Sequence, residues 1–193
     1  MINYLPILVN SKQSDITSFI EFWSKLYSYP LENLYNETII KEQYEIDDMQ
    51  LLFIWKNGMK LSRKKQQSLD LKIKPKLTLI NKFKQNDDWS IDDFQSEFGD
   101  LSAVWKIFLL HIIKPKVYPI YDQHINRTYN YIHRLPYTEI SANMSNKNKE
   151  YFYFNTYLNF IKEQSDLNLK KFDEAFFAFG KFINTNNNII LFE

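Results

Sequence analysis

The chain has 193 residues, a formal net charge of +1, 45% hydrophobic residues and 17% aromatic residues. That is enough apolar material for one compact domain or two small lobes sharing a cleft, and it excludes a disordered chain. The absence of cysteine excludes disulfides, thiolate catalysis, cysteine zinc sites and iron–sulfur clusters, and the three scattered histidines are not in ligand spacing for a metal.

Taken in chain order, the N-terminal stretch MINYLPILVNSKQSD has no basic leader and too short an apolar run for a signal peptide or a membrane span, so a cytoplasmic protein with no membrane partner is expected. Ser14 and Asp15 precede ITSFIEFWSKLYSY, whose three- and four-residue apolar spacing predicts a capped helix ending before Pro30. ETIIKEQYEIDDMQLLFIWKNG predicts one further helix, stopped at Gly58. SRKKQQSLDLKI predicts helix up to Pro75, and KLTLINKFKQN continues helical. Ser90 caps a short helix, IDDFQSEFG, closed by Gly99, and the apolar SAVWKIFLLHII follows as a helix that stops before Pro115. Pro119 and Asp122 open QHINRTYNYIHRL, which ends at Pro136. Residues 141–149 predict a polar loop, followed by two final helices in EYFYFNTYLNFIKEQ and NLKKFDEAFFAFGKFINT. The tail NIILFE fits a short strand or a packed coil. With three glycines and six prolines, hairpin-rich β structure is disfavoured, and the sum is an all-α protein of seven to nine helices.

Charge is unevenly placed. Residues 31–50 carry a balance of −5, residues 56–86 a balance of +9, and residues 87–100 a balance of −6. A basic block of this kind suits phosphate binding. A solvated helix face neutralised by the flanking acidic blocks is the alternative, and charge alone favours it.

The stretch that carries chemistry runs from Phe94 to Tyr131: short helix, Gly turn (EFGDLSAVW), apolar helix, Pro-containing loop, then Asp and helix (YPIYDQH). It resembles the helix-hairpin-helix DNA glycosylases, the superfamily of endonuclease-III-like and oxoguanine-type base-excision enzymes. That resemblance covers about 40 residues, and the separation from Gly99 to Asp122 agrees with the family without a gap. It implies a two-lobed helical bundle with a hairpin motif and an interlobe cleft. The whole of 1–193 would be one such domain: a helical lobe over 31–86, a hairpin and catalytic lobe over 87–140, and N- and C-terminal helices packing together.

The resemblance also assigns roles. Asp122 is the expected catalytic carboxylate, stabilising oxocarbenium character at the sugar and orienting water once the nucleotide is extruded. An Asp that only caps its helix is the alternative, and the two roles are compatible. Gly99 and Ser102 of the hairpin, with His124 and Arg127 after the Asp, are expected at DNA; a self-satisfied His and a structural ion pair are the alternatives for the last two. Lys56 and Asn57 sit where the family places its wedge, and Lys64 and Lys65 belong to the basic block. Trp55, Gln123 and Phe177 are candidates for the base pocket, against the alternatives of a core Trp, a solvent-facing Gln and a core Phe.

No organic cofactor and no metal ligand set is expected; the resemblance implies a monovalent cation at the hairpin turn. Bifunctional relatives carry a Schiff-base Lys four residues after the hairpin Gly; here that position is Ala103, and Lys106 lies about 300° round the helix. The hairpin also departs from the family pattern, with Asp100 in the turn and Leu101 at its usual second Gly.

The expected activity is that of a monofunctional DNA N-glycosylase, acting as a monomer on double-stranded DNA. It would remove a damaged or modified base and leave an abasic site, in repair or in defence against phage with modified DNA. A non-catalytic helix-hairpin-helix DNA-binding module and an α-helical interaction protein are the competing functions.

Overall fold

The computed structural model describes residues 15–136, 144–164 and 168–185, and every regular element among them is helical. The helices are α1 (Ile16–Ser24), α2 (Glu32–Ile39), α3 (Ile46–Asn57), α4 (Arg63–Ser68), α5 (Leu77–Gln85) and α6 (Ile91–Glu97). They continue as α7 (Ala103–Ile113), α8 (Gln123–Ile132), α9 (Asn146–Phe152), α10 (Leu158–Glu163) and α11 (Leu169–Thr185). The all-α class is thus the observed one. No helix among the described residues is long and apolar enough to cross a membrane. Ser14, the start of the predicted loop over 141–149 and the tail NIILFE lie outside the described residues.

Side-chain caps set many of the boundaries. Asp15 accepts from the Ser18 N–H at 2.8 Å and starts α1, which ends at Ser24, one turn earlier than Pro30 suggests. The single helix expected over 37–58 is two. A capping box between Glu45 and Asp48 starts α3 afresh, and the non-helical backbone at Tyr44 is satisfied by Asn81 of α5, which accepts from Tyr44 N at 2.8 Å and donates to Tyr44 O at 2.9 Å. Gly58, at φ 72°, ends α3 as expected. Conversely, Pro75 does not separate two helices. α4 runs through a π turn (Leu69–Ile73) and a 3-10 turn holding Pro75 straight into α5, because these turns absorb the missing proline N–H. A second π turn (Tyr153–Tyr157) joins α9 to α10 and brings both tyrosines into the core. α9 begins at Asn146, capped by Ser145, inside the stretch expected as loop.

The buried side chains form two clusters. One gathers Tyr35, Leu52, Phe53, Trp55, Ile80, Phe94, Phe98 and Leu110, from α2 through α7, with Ile120 from the connection that follows. The other gathers Ile20 and Trp23 of α1, Tyr121 and Ile125 around the start of α8, Tyr153, Tyr157, and Phe172, Phe176 and Phe179 of α11. α1 and α11 pack together, as expected, through edge-on pairs such as Phe19–Phe179 at 5.2 Å and Trp23–Phe179 at 4.8 Å. The core does not divide at residue 87: Phe94 and Phe98 join Phe83 in the first cluster.

α7 lies between the clusters. Nine of its eleven residues are buried, with Ile107 facing one cluster and Phe108 the other, which accounts for its all-round apolar sequence. His111 on this helix is fully enclosed, and burial pulls its pKa down to about 3. Its Nδ1–H donates to the Tyr118 carbonyl at 2.7 Å, so Nε2 accepts from the Tyr35 hydroxyl at 2.7 Å.

Candidate active site

Asp122 is the N-cap of α8. Its Oδ1 accepts from the backbone N–H of His124 at 2.9 Å and of Ile125 at 3.1 Å, and its Oδ2 accepts from Lys56 Nζ at 3.0 Å. Burial alone would raise this carboxyl, but the Lys56 ammonium, His124 and the Ile125 N–H outweigh it and hold the group below the ordinary carboxylate range. Both ends of the carboxylate are therefore occupied while its side chain stays 21% exposed.

That exposed edge faces a pocket at the seam of the two clusters. The walls include Tyr27, Tyr29, Trp55, Lys56, Asp173 and Phe177, and the space including its open mouth is about 430 Å³. It is narrow, with room for about two waters in its enclosed part. Tyr27 and Tyr29 come from the α1–α2 connection, which turns at Leu31 with φ 68°, a left-handed conformation that a branched residue adopts at a cost. The Tyr29 hydroxyl donates to Trp55 O at 2.7 Å, and Phe177 meets both Tyr27 and Tyr29 edge-on. Beside the pocket, Lys170 pairs with Glu32 at 2.5 Å and with Glu174 at 3.4 Å, and Glu32 also accepts from Tyr27 Oη and Trp55 Nε1.

The predicted site residues separate into those this pocket uses and those it does not. Trp55 lines the pocket and is also core, only 4% exposed. Phe177 lines it too. Lys56 is turned inward onto Asp122 with 9% of its side chain exposed, and it lines the pocket. Asn57 is engaged locally: its amide donates to Met59 O and Lys60 O, and its oxygen accepts from Lys65 Nζ. Gln123 is not among the residues lining the pocket. His124 packs on Phe177, with ring centroids 4.7 Å apart, and its Nδ1 accepts from Arg127 Nη1 at 3.2 Å. Arg127 is 6% exposed. Its guanidinium faces His124 inside the protein and does not stand on the open surface.

Tyr27, Tyr29, Lys170 and Asp173 line the pocket, with Glu32 paired to Lys170 beside it, and none of them was expected there from the sequence. Two local signals point to them. Two tyrosines flank Ser28 just before Pro30 in LYSYP, and Asp173 sits four residues before Phe177 and seven before Gly180, one face of an otherwise apolar helix.

A second constellation surrounds the turn between α6 and α7. α6 is capped reciprocally by Ser90 and Asp93. Asp100, Leu101 and Ser102 of this turn share one surface groove with Lys64, Lys65, Ser68 and Lys72, while Gly99 does not line it. Gly99 is outside the left-handed region, and the exposed Ser102 is the N-cap of α7 without a side-chain cap bond. Lys72 donates to Asp100 O at 2.7 Å and pairs with its carboxylate at 3.3 Å, and Lys76 donates to Glu97 O. The acidic segment thus lies against the basic one, and Asp100 is neutralised where it stands. The residues do not fit the monovalent cation that the resemblance implies: lysine ammonium groups already hold two carbonyls of this turn. Among the described residues, no group of three or more His, Asp or Glu is arranged to hold a metal ion.

Ala103 is fully buried, and its N–H donates to Asn146 Oδ1 at 3.2 Å. Lys106 is 5% exposed and paired with Glu150 at 2.9 Å. Neither lines the Asp122 pocket.

Comparison with family models, with curated proteins and with solved structures finds no match for this chain.

Proposed function

We propose that the protein is a DNA N-glycosylase that hydrolyses the glycosidic bond of an extruded damaged or modified base. The observation that carries this reading is Asp122: an ionised carboxylate fixed by two backbone N–H groups and an ammonium, with its exposed part lining an aromatic-walled pocket. As the C1′–N bond stretches, positive charge develops on the sugar, and a fixed carboxylate beneath it lowers the barrier without reorganising. The same carboxylate can take a proton from the attacking water. Tyr27, Tyr29 and Phe177 offer faces on which a base stacks. A base exceeds the enclosed void, so entry requires the Glu32–Lys170 pair beside the pocket and the Tyr27 ring in its wall to give way.

The groove at Lys64, Lys65, Lys72 and the α6–α7 turn supports DNA as the partner. Replacing Lys64 and Lys65 together by Gln is expected to weaken duplex binding uniformly across sequences. It should also lower the slope of log K against log salt by about 1 for each phosphate no longer neutralised. Titrations at several salt concentrations check this, and an unchanged slope would contradict a phosphate role for this groove.

The proposed product is an abasic site, since Ala103 removes the amine that bifunctional relatives carry there. Lys56 brings an amine to Asp122 from α3 instead, and in the ion pair its work is electrostatic. The enzyme is to be incubated with duplexes carrying a panel of damaged and modified bases, and with phage DNAs, then treated with mild alkali. Strand breaks only after alkali are expected. Breaks without alkali, or a borohydride-trapped adduct that Lys56→Gln abolishes, would contradict the monofunctional proposal. Retained duplex binding with no base released from any substrate would favour a non-catalytic DNA-binding module.

A further inference from the structure

Asp173 of α11 is a second carboxyl in the Asp122 pocket, and neither of the steps assigned to Asp122 uses it. It is 6% exposed. Its Oδ2 accepts from the Ile120 N–H at 3.2 Å, while its Oδ1 is buried without a hydrogen-bond partner. A buried carboxylate oxygen left unpaired is costly, so such an atom in a pocket wall calls for a ligand or a proton. The same α11 face supplies Phe177, one turn further on, as the stacking surface.

We propose that Asp173, in its protonated form, is the proton donor to the departing base, a role that rests on the glycosylase reading. The C1′–N bond breaks with its electron pair going to the base. The Asp173 O–H proton moves to an acceptor nitrogen or oxygen of that base, and Asp173 becomes a carboxylate. Water oxygen bonds to C1′, and the proton it sheds passes through Asp122 to solvent, from which Asp173 is protonated again. The two carboxyls divide the work: one stays ionised beneath the sugar and the other stays neutral beside the base.

The surroundings suit this division. Burial raises Asp173 most, and Asp122 adds to the rise. The Ile120 N–H and the ammonium groups of Lys170 and Lys56 act the other way, and the result is about 8. Tyr35 from α2, and Tyr153 and Tyr157 from the π turn, also face it, and each has its own ionisation suppressed. Glu174 of α11 is paired with Lys170 in the pocket wall. Asp173 is therefore largely protonated at neutral pH, while Asp122 is not.

The test is single-turnover base release from whichever panel duplex is cut, measured against pH for the wild type and Asp173→Asn, with duplex binding and thermal melts alongside. Activity that needs the protonated form falls as pH rises through about 8. The Asn variant is expected to be about 10²-fold slower at pH 7 and to lack that alkaline fall, with duplex binding unchanged. A carboxyl raised from 3.8 to about 8 in the folded state stabilises fully below 3.8, and that stability is lost as pH rises to 8. Asn suffers no such loss, so the variant should melt above the wild type at pH 8, with the gap closing toward pH 4.

A variant that keeps both the wild-type rate and the alkaline limb would overturn the Asp173 role and leave the glycosylase reading standing. A variant that melts below the wild type throughout would mark Asp173 as a structural carboxylate and overturn the role equally. A wild-type enzyme that releases no base from any panel duplex would overturn the glycosylase reading and this role with it.

Discussion

Asp122→Asn is expected to reduce base release by about 10²–10⁴-fold while leaving the fold and duplex binding in place. The substitution separates the two roles that coincide at this residue. As a helix cap, Asn serves nearly as well as Asp, so the Oδ1 bonds to the His124 and Ile125 N–H groups can be kept. As a charge, Asn offers nothing to a cationic sugar and cannot accept a proton from water. It also leaves the Lys56 ammonium beside the pocket without its counter-ion, a further penalty on developing positive charge. A residue that only capped α8 would show wild-type base release in the Asn variant. Circular dichroism and duplex binding, measured on the same sample, separate loss of chemistry from loss of fold.

Gly180→Ala should be the most destabilising small substitution in the second cluster. A Cβ at 180 would stand 2.0 Å from the His124 carbonyl oxygen, 2.6 Å from its carbonyl carbon and 2.8 Å from its Cα. All three are backbone atoms of the first turn of α8, the turn that binds Asp122, so no side chain can swing aside. α8 and α11 must separate, and Thr128 Oγ1, which donates to Phe176 O at 2.6 Å, is pulled from its partner. The expected cost is about 3 kcal/mol. For a chain of this size that corresponds to a fall in melting temperature of roughly 6–12 °C. Gly99→Ala is the control. Its Cβ would meet Gln95 O at 3.2 Å from an ordinary backbone conformation, so a shift of a few tenths of an ångström suffices. Thermal melts of both variants check the contrast, and equal effects would contradict close packing at Gly180 as the cause.

The parts of this protein legible from its sequence are those where local chemistry decides. Asp15, Ser90 and Asp122 each begin a helix because a side-chain oxygen reaches a free N–H, and that relation lies within three residues. The all-round apolar character of α7 announced a helix enclosed on all sides. What could not be read was set by distant partners. The break between α2 and α3 depends on Asn81, 37 residues from Tyr44. The continuity of α4 and α5 through Pro75 depends on Leu69 and Ile73 being buried. Lys56 looked like one member of a basic block, and only the fold turns it away from Lys64 and Lys65 onto Asp122.

The site followed the same rule. Asp122 stood out in a short motif and Phe177 was only one of several phenylalanines at helical spacing, whereas Tyr29, Lys170 and Asp173 reach the pocket from opposite ends of the chain. His124 and Arg127 carried a resemblance to DNA contacts, yet they face each other. Asp100, unwelcome in a phosphate-binding turn, is answered by Lys72 across 28 residues.

The central claim is that this pocket releases a base from DNA through Asp122. Mass spectrometry of the low-molecular-weight products, after incubating wild type and Asp122→Asn with the damaged duplexes and phage DNAs, tests it most directly. The expected result is a free base from at least one substrate with the wild type and none with the variant. Equal release by both proteins, or no free base from any substrate with either, would contradict it.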